Sequence, residues 1–298
     1  MMKFSIVTPT YNRAHTLKKL YDSLVRNNYK DLEWLIMDDG SIDETKKLVD
    51  SFIKEKKVNI KYFYQKNQGK MAAINNLKKH INSDITIECD SDDYFTDGIF
   101  DNIVYKWNLI KEVEDVYGFM MLKVKENGDV FGNEFTDEGM IATNFDLYFK
   151  YGVEGDKCLI FKSDIYKKYF HDLENGEKFA TEARLYHKMD KSYKGVMVFN
   201  TIAMICEYME DGYTKNIINI YKKNPWTHYY YFKEMFDFDM SSVPFKKRMF
   251  IIKHYILFSY LTHKKYSEVI KGSNKGINKM LVTLLVIPGY IMSKRKFR

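Results

Sequence analysis

Asp90-Ser91-Asp92-Asp93 sets three carboxylates within four residues, directly after the apolar run Ile85-Thr86-Ile87-Glu88-Cys89. Like charges this close raise one another's pKa, so the cluster opposes its own ionisation unless a cation joins it. Hard divalent cations such as Mg²⁺ and Mn²⁺ prefer carboxylate oxygens and would remove that conflict. A calcium loop does not fit, because no Gly stands at the sixth position and no Glu at the twelfth. The plain alternative is a solvated acidic turn.

Two earlier stretches carry similar equipment. Thr8-Pro9-Thr10-Tyr11-Asn12-Arg13 follows one short apolar run, and Asp38-Asp39-Gly40 follows another. A tyrosine can stack on a flat base, an aspartate can accept from a ring N–H, and a metal-bearing aspartate can hold a diphosphate. Lys70, after Gly69 at an expected helix start, adds positive charge of the kind phosphates need. Singly, each has a dull reading: a packing aromatic, a turn residue, a solvated lysine. Recurrence at successive strand ends points to a nucleotide.

The elements that must position these groups alternate. Strands are expected at Lys3–Thr8, Trp34–Met37, Val58–Tyr64 and Ile85–Cys89, with Pro9 ending the first. Helices follow each: Leu17, Leu20, Tyr21 and Leu24 mark the first; Ser41 and Glu44 form an expected capping box for the second; Ala72, Ala73 and Leu77 mark the third; Ile99, Ile103, Trp107 and Ile110 the fourth. Four β-α units predict an α/β fold with a mostly parallel sheet and helices on both faces, whose strand ends converge on one crevice. Past residue 115 the alternation stops. Strands are expected at Val116–Val124, Lys157–Phe161, Val196–Phe199 and Ile202–Glu207, with a hairpin turn at Glu126-Asn127-Gly128-Asp129 returning through Val130-Phe131. Helices are expected from Ser163 and over Ala180–Met189. A boundary near Asn224-Pro225 divides a 1–224 body, with a nucleotide half of about 1–115 and an acceptor half of about 116–224, from a helical basic extension, 225–298.

The net charge of +7 hides an asymmetry: residues 241–298 hold 13 Lys/Arg against one acid, Glu268, so the remainder is net negative. The body is therefore not a nucleic-acid binder on charge grounds, whereas the tail suits an anionic membrane surface or an oligomer interface. Cys89, Cys158 and Cys206 form no C-x-x-C pair, which argues for a reducing, cytoplasmic setting. No leader peptide and no apolar run of spanning length are read, so a peripheral place on the inner membrane face is expected.

In order and spacing, the three strand-end motifs resemble family-2 glycosyltransferases with the GT-A fold, of the kind that builds capsules and other cell-surface polysaccharides. The likeness covers roughly residues 3–215. It implies an inverting, metal-dependent enzyme (Mn²⁺ or Mg²⁺) that uses a UDP-sugar donor and a saccharide acceptor, lipid-linked in many relatives. Pro9 and Tyr11 would flank the uracil and Asp39 would meet its N3–H. Asp90 would sit near the ribose and Asp92 would ligate the metal, with Asp93 a second candidate. Thr8, Arg13 and Lys70 complete the expected donor set. The segment Glu177–Leu185 resembles the stretch where an acid opens a helix at the acceptor site, which makes Glu182 the expected general base, with Glu177 and Asp156 as alternatives. The piece Glu207–Gly212 is expected to close the acceptor side.

Other chemistries lack their residues. No H-E-x-x-H, G-x-S-x-G or G-x-x-x-x-G-K-S/T pattern occurs, and no glycine-rich turn follows the first strand, as a dinucleotide-binding fold requires. Two rivals remain: a nucleotidyltransferase, and a membrane-docked assembly protein without turnover.

Overall fold

The computed structural model describes residues 2–206, 217–273 and 276–297. Its first part runs β1 (Phe4–Thr10), α1 (Leu17–Asn27), β2 (Leu32–Asp38), α2 (Thr45–Glu55), β3 (Asn59–Tyr64), α3 (Lys70–Leu77), β4 (Ile85–Glu88), β5 (Asp93–Phe95) and α4 (Ile99–Ile110). Then come β6 (Val116–Lys125), β7 (Ile141–Ala142), α5 (Asn144–Phe149), β8 (Lys157–Lys162), α6 (Ser163–Tyr166), α7 (Glu182–Asp190) and β9 (Gly195–Cys206). The C-terminal part is helical: α8 (Ile217–Lys223), α9 (Pro225–Glu234), α10 (Phe245–Leu261), α11 (Tyr266–Gly272) and α12 (Ile277–Phe297).

One sheet is ordered β3-β2-β1-β4-β8-β6-β9-β5, with β7 on β9. The first four strands pair in parallel, as the β-α alternation predicts. β8 then enters antiparallel between β4 and β6, and β6 and β9 are again parallel. Strand period 2 sorts the core: Phe4, Ile6, Trp34 and Ile36 pack on one face with α1, α2 and α4, while Val7, Leu35 and Met37 pack on the other with α3 and α7. Trp34 is fully buried, so its truncation to Ala would cost about 3–5 kcal/mol.

Several expectations change in detail. β1 continues through Pro9 to Thr10. Pairing with β4 stops at Val7↔Glu88, the Val7 carbonyl accepts from Cys89 N and the Thr10 carbonyl from Asp39 N. Alternation therefore turns Pro9 toward the β4 side beyond the end of that ladder, where no donor is needed. The capping box at α2 does not form. Asp43 accepts from the Thr45 N–H and hydroxyl instead, Ser41 Oγ accepts from Asn12 N, and Glu44 pairs with Lys47 on the surface. The turn at 126–129 closes, but its return makes only the Val124↔Val130 bridge. The two strands expected around residues 196–207 are one bulged strand, β9, and part of the acidic turn is itself strand: Asp93–Phe95 pairs antiparallel with β9.

The C-terminal helices form their own core, which also takes in Phe145 and Phe149 of α5. Asn224 Oδ1 accepts from the N–H groups of Lys178 and Phe179, and Arg184 makes a two-pronged pair with Glu234 at 3.0 and 2.7 Å.

Candidate active site

The strand-end loops are stitched together before any ligand enters. Asn12 N donates to Ser41 Oγ and Ile42 N to Asn12 Oδ1, so the β1 and β2 loops clasp each other. Asp39 is buried, and its carboxylate accepts from Gln65 Nε2 at 2.7 Å and from the backbone N–H groups of Gln68 and Gly69 at 2.8 Å each. Asp38 accepts from Ser41 N and the Tyr62 hydroxyl. Thr8 points elsewhere: it is fully buried, with its hydroxyl accepting from the Trp34 indole at 2.9 Å. Pro9 is buried in β1, whereas Tyr11 is 46% exposed beside the β2 loop, free to cover a flat ligand.

Gly69 decides how the second half of the chain meets the first. A Cβ there would lie 2.0 Å from the Lys178 carbonyl oxygen, and its φ of 96° is unfavourable for other residues. Lys178 Nζ also donates to the Asn67 carbonyl and side chain at 3.0 and 2.9 Å. This close approach sets the start of α7 against the start of α3. Lys70, the first residue of α3, reaches Asp90 Oδ1 at 2.7 Å and Glu182 Oε1, on the first residue of α7, at 2.8 Å. Burial works against the Lys70 charge, but Asp90 and Glu182 outweigh it and raise its pKa well above the usual value. Burial acts on Asp90 as well, yet Lys70, Lys123 and Arg13 together hold its carboxyl below the usual range.

A second lysine, which sequence reasoning missed, serves the other acids. Lys123 on β6 is buried and contacts Asp93 at 3.0 Å and Asp156 at 2.6 Å. Its signal was a lysine inside an otherwise apolar run, Val116–Val124. Asp93, although paired, is raised by burial. Asp92 has no ion-pair partner among the described residues; burial and the charges of Asp90 and Asp93 push it up to about 6. An acid left in that state fits a divalent cation, which takes one or two protein carboxylates and fills its shell with phosphate oxygens and water. Among the described residues, no group of three or more Asp, Glu, His or Cys forms a protein-only cage. Asp92 is thus the acid of the turn still open to a metal.

Lys70, Asp90, Lys123, Asp156 and Glu182 line one cavity of about 490 Å³, whose lining also includes the aromatic rings of Tyr148, Phe149, Phe179, Tyr186 and Tyr231. Glu88 reaches this cavity from β4 and accepts from the Tyr166 hydroxyl. Glu177 takes another role: its two carboxylate oxygens accept from Trp226 N and Thr227 N at 2.7 and 2.8 Å, capping α9. Residues 207–212, expected to close the acceptor side, lie outside the described residues.

Known proteins resemble this chain in sequence or in fold. A protein of Campylobacter jejuni named GalNAc(5)-diNAcBac-PP-undecaprenol beta-1,3-glucosyltransferase is 27% identical over 233 residues, 74% of this chain and 71% of its own length. An uncharacterised glycosyltransferase of Mycoplasma pneumoniae is 38% identical over 96 residues, 31% of this chain, so the match spans about a third (32%) of that relative. Among solved structures, Staphylococcus aureus TarS 1–349 in complex with UDP-GlcNAc superposes with a TM-score of 0.64 at 16% identity, covering 100% of this chain and 92% of that one. The Pyrobaculum calidifontis mannosyltransferase PcManGT in complex with GDP-Man and Mn²⁺ gives 0.58 at 12% identity, covering 100% and 88%. These likenesses establish the GT-A fold. The profile described as Glycosyl transferase family 2 matches residues 5–170, more than half of the sequence, and the chain belongs to that family.

Proposed function

We propose that the protein inverts the anomeric centre of a UDP-sugar while transferring the sugar to a lipid-linked saccharide, in the synthesis of a capsule or other cell-surface polysaccharide. The observation that carries this reading is the Lys70 bridge, which joins Asp90 of the acidic turn to Glu182 of α7 on the lining of one cavity. Glu182 stands at a helix N-terminus, where negative charge is favoured, as a base requires. It takes the proton of the acceptor hydroxyl as that oxygen bonds to the anomeric carbon and the bond to the UDP oxygen breaks. Lys70 faces the charge that develops on the departing diphosphate. A divalent cation, Mn²⁺ or Mg²⁺, held by Asp92 would supply further neutralisation there when bound. Tyr11 covers the base from its exposed position, Asp39 holds the 65–69 loop that presents Lys70, and Arg13 adds positive charge toward Asp90. Lipid linkage is supported by the name of the C. jejuni relative.

Docking at the inner face of a membrane is supported by α12. Ile277, Met280, Leu284, Ile287 and Ile291 recur every three or four residues and are all at least half exposed. Lys279, Lys294 and Arg295 are exposed on the same helix. Such a stripe with basic flanks suits lying in the headgroup layer. Among the described residues no helix is long and apolar enough to cross a membrane. The full chain should therefore co-sediment with phosphatidylglycerol vesicles and release at high salt; equal partitioning of a Leu284→Glu, Ile287→Glu variant would remove the claim.

The decisive experiment is a panel of UDP-sugars assayed with Mn²⁺, Mg²⁺ or EDTA. Metal-dependent UDP release is the expected result. Pyrophosphate release from a nucleoside triphosphate would favour the nucleotidyltransferase, and UDP binding without turnover on any acceptor would favour the assembly protein.

A further inference from the structure

A second cavity, of about 860 Å³, is lined by residues of the C-terminal helices and shares none of the residues lining the first. Tyr229, Tyr230 and Lys233 of α9 form one wall, and Lys264 and Lys271, before and within α11, form the other. Its charges are unevenly satisfied. Of the three acids on its lining, Glu234 is paired with Arg184 at 2.7 Å and Asp237 with Lys191 at 2.7 Å, while Glu268 accepts from the Lys265 N–H at 2.7 Å and keeps its charge. The three lysines have no carboxylate partner among the described residues. Lys264 Nζ instead sits 4.9 Å from the Trp226 ring and 5.3 Å from Tyr229, and Lys233 Nζ 5.9 Å from Tyr230. Ring faces orient the Lys264 and Lys233 ammonium groups without neutralising them, and with Lys271, which also lines the space, three cationic side chains border one cavity. Ammonium groups so arranged suit phosphate oxygens.

The position of the cavity says more. Tyr231 of α9 lines the catalytic cavity, while Tyr229, Tyr230 and Lys233 line this one. Helix α9 thus contributes to both spaces, and a helix is about 10–12 Å across with its side chains. A ligand with its terminal sugar in the first cavity could place a phosphate in the second by following the surface around α9.

We infer that the second cavity binds the phosphate or diphosphate linkage of the acceptor while the acceptor's terminal sugar occupies the catalytic cavity. This rests on the reading of the protein as a transferase acting on a phosphate-linked glycan. Lys233, Lys264 and Lys271 hold the phosphate oxygens, and Tyr229 and Tyr230 offer ring faces to the adjoining sugar.

The test titrates the full chain with inorganic diphosphate while UDP fills the donor site. One diphosphate per chain is expected. Its affinity should fall at least about tenfold in Lys233→Gln, Lys264→Gln, Lys271→Gln, as three charge-assisted contacts are lost, and return in the corresponding triple Arg variant. Both variants should keep UDP affinity, since neither touches the donor site. Absence of a second anion site, or unchanged affinity in the Gln variant, overturns the proposal. Partitioning onto phosphatidylglycerol vesicles should not differ between wild type and the Gln variant; a parallel loss there would reassign the cavity to a leaflet headgroup. Wild-type protein that binds the diphosphate but releases no UDP from any UDP-sugar would sink the acceptor assignment through the transferase reading, an outcome the titration itself keeps distinct.

Discussion

Residues 1–115 and 116–224 each lend a lysine across the seam between them. Lys70, from the first region, holds its own Asp90 and the other region's Glu182; Lys123, from the second, holds its own Asp156 and the other region's Asp93. The two bridges differ in access. Lys123 and Asp93 are each 8% exposed, although Asp156, the other acid of that bridge, is 62% exposed; around Lys70, itself 18% exposed, Asp90 and Glu182 are 39% and 33% exposed. A buried charge pair is costly to disturb and so fixes geometry, while a half-open one can exchange partners with an incoming ligand. The same chemical device thus pins one side of the site and leaves the other free to work.

The largest expected effect tests the acid that neither lysine holds. Asp92→Ala, or EDTA on the wild type, should abolish turnover without lowering the melting temperature, because it removes one of three crowded carboxylates and the charge neutralisation they recruit. Full activity under either condition would leave the turn as a surface feature.

Next comes the base. Glu182→Gln should slow transfer by about 10²–10⁴ with UDP affinity nearly unchanged. A near-normal rate would pass the role to Asp156, the exposed arm of the Lys123 bridge, since Glu177 is occupied as a helix cap.

The bridges themselves can be set against each other by chemical denaturation. Lys123→Met leaves Asp93 buried and unpaired, and should cost about 3–5 kcal/mol of stability. Lys70→Met should cost about 1 kcal/mol, because its partners can be hydrated, yet raise the KM for the UDP-sugar. Equal losses would show that exposure does not separate the two roles.

The last expected effect concerns acid and is confined to low pH. His187, on the lining of the cavity, is buried and its pKa is lowered to about 3, chiefly by burial. The unfolded chain takes up a proton near the ordinary value of about 6.5 while the folded chain does not, so stability is lost as pH falls below that value, by about 2 kcal/mol at pH 5. His187→Gln should flatten the fall measured by thermal melts between pH 7 and pH 5. An unchanged slope would mean that another group, such as buried His228, lowered to about 4, sets the acid limit.

What local sequence could settle was settled by period and punctuation. Alternating apolar runs and amphipathic helices give the four parallel strands, and polar residues directly after apolar runs mark strand ends, so Tyr11, Asp39 and Asp90–Asp93 were found as groups. Local pattern fixes which face a residue takes within its own element, but not what stands opposite. The Thr8 side chain turns into the core because Trp34 lies across from it in β2. Glu177 becomes a cap because α9 begins against it. Lys123 became part of the site only because β8 and β6 insert beside β4 and bring it to Asp93. These are contacts between residues far apart in the chain, set by strand order and by one close backbone approach at Gly69, and sequence periodicity carries no term for either. Thus the sequence by itself determined the four parallel strands, the acidic edge at their ends and the groups able to meet a nucleotide. The tertiary structure alone decided which carboxylate each lysine holds, because that pairing depends on where distant elements pack.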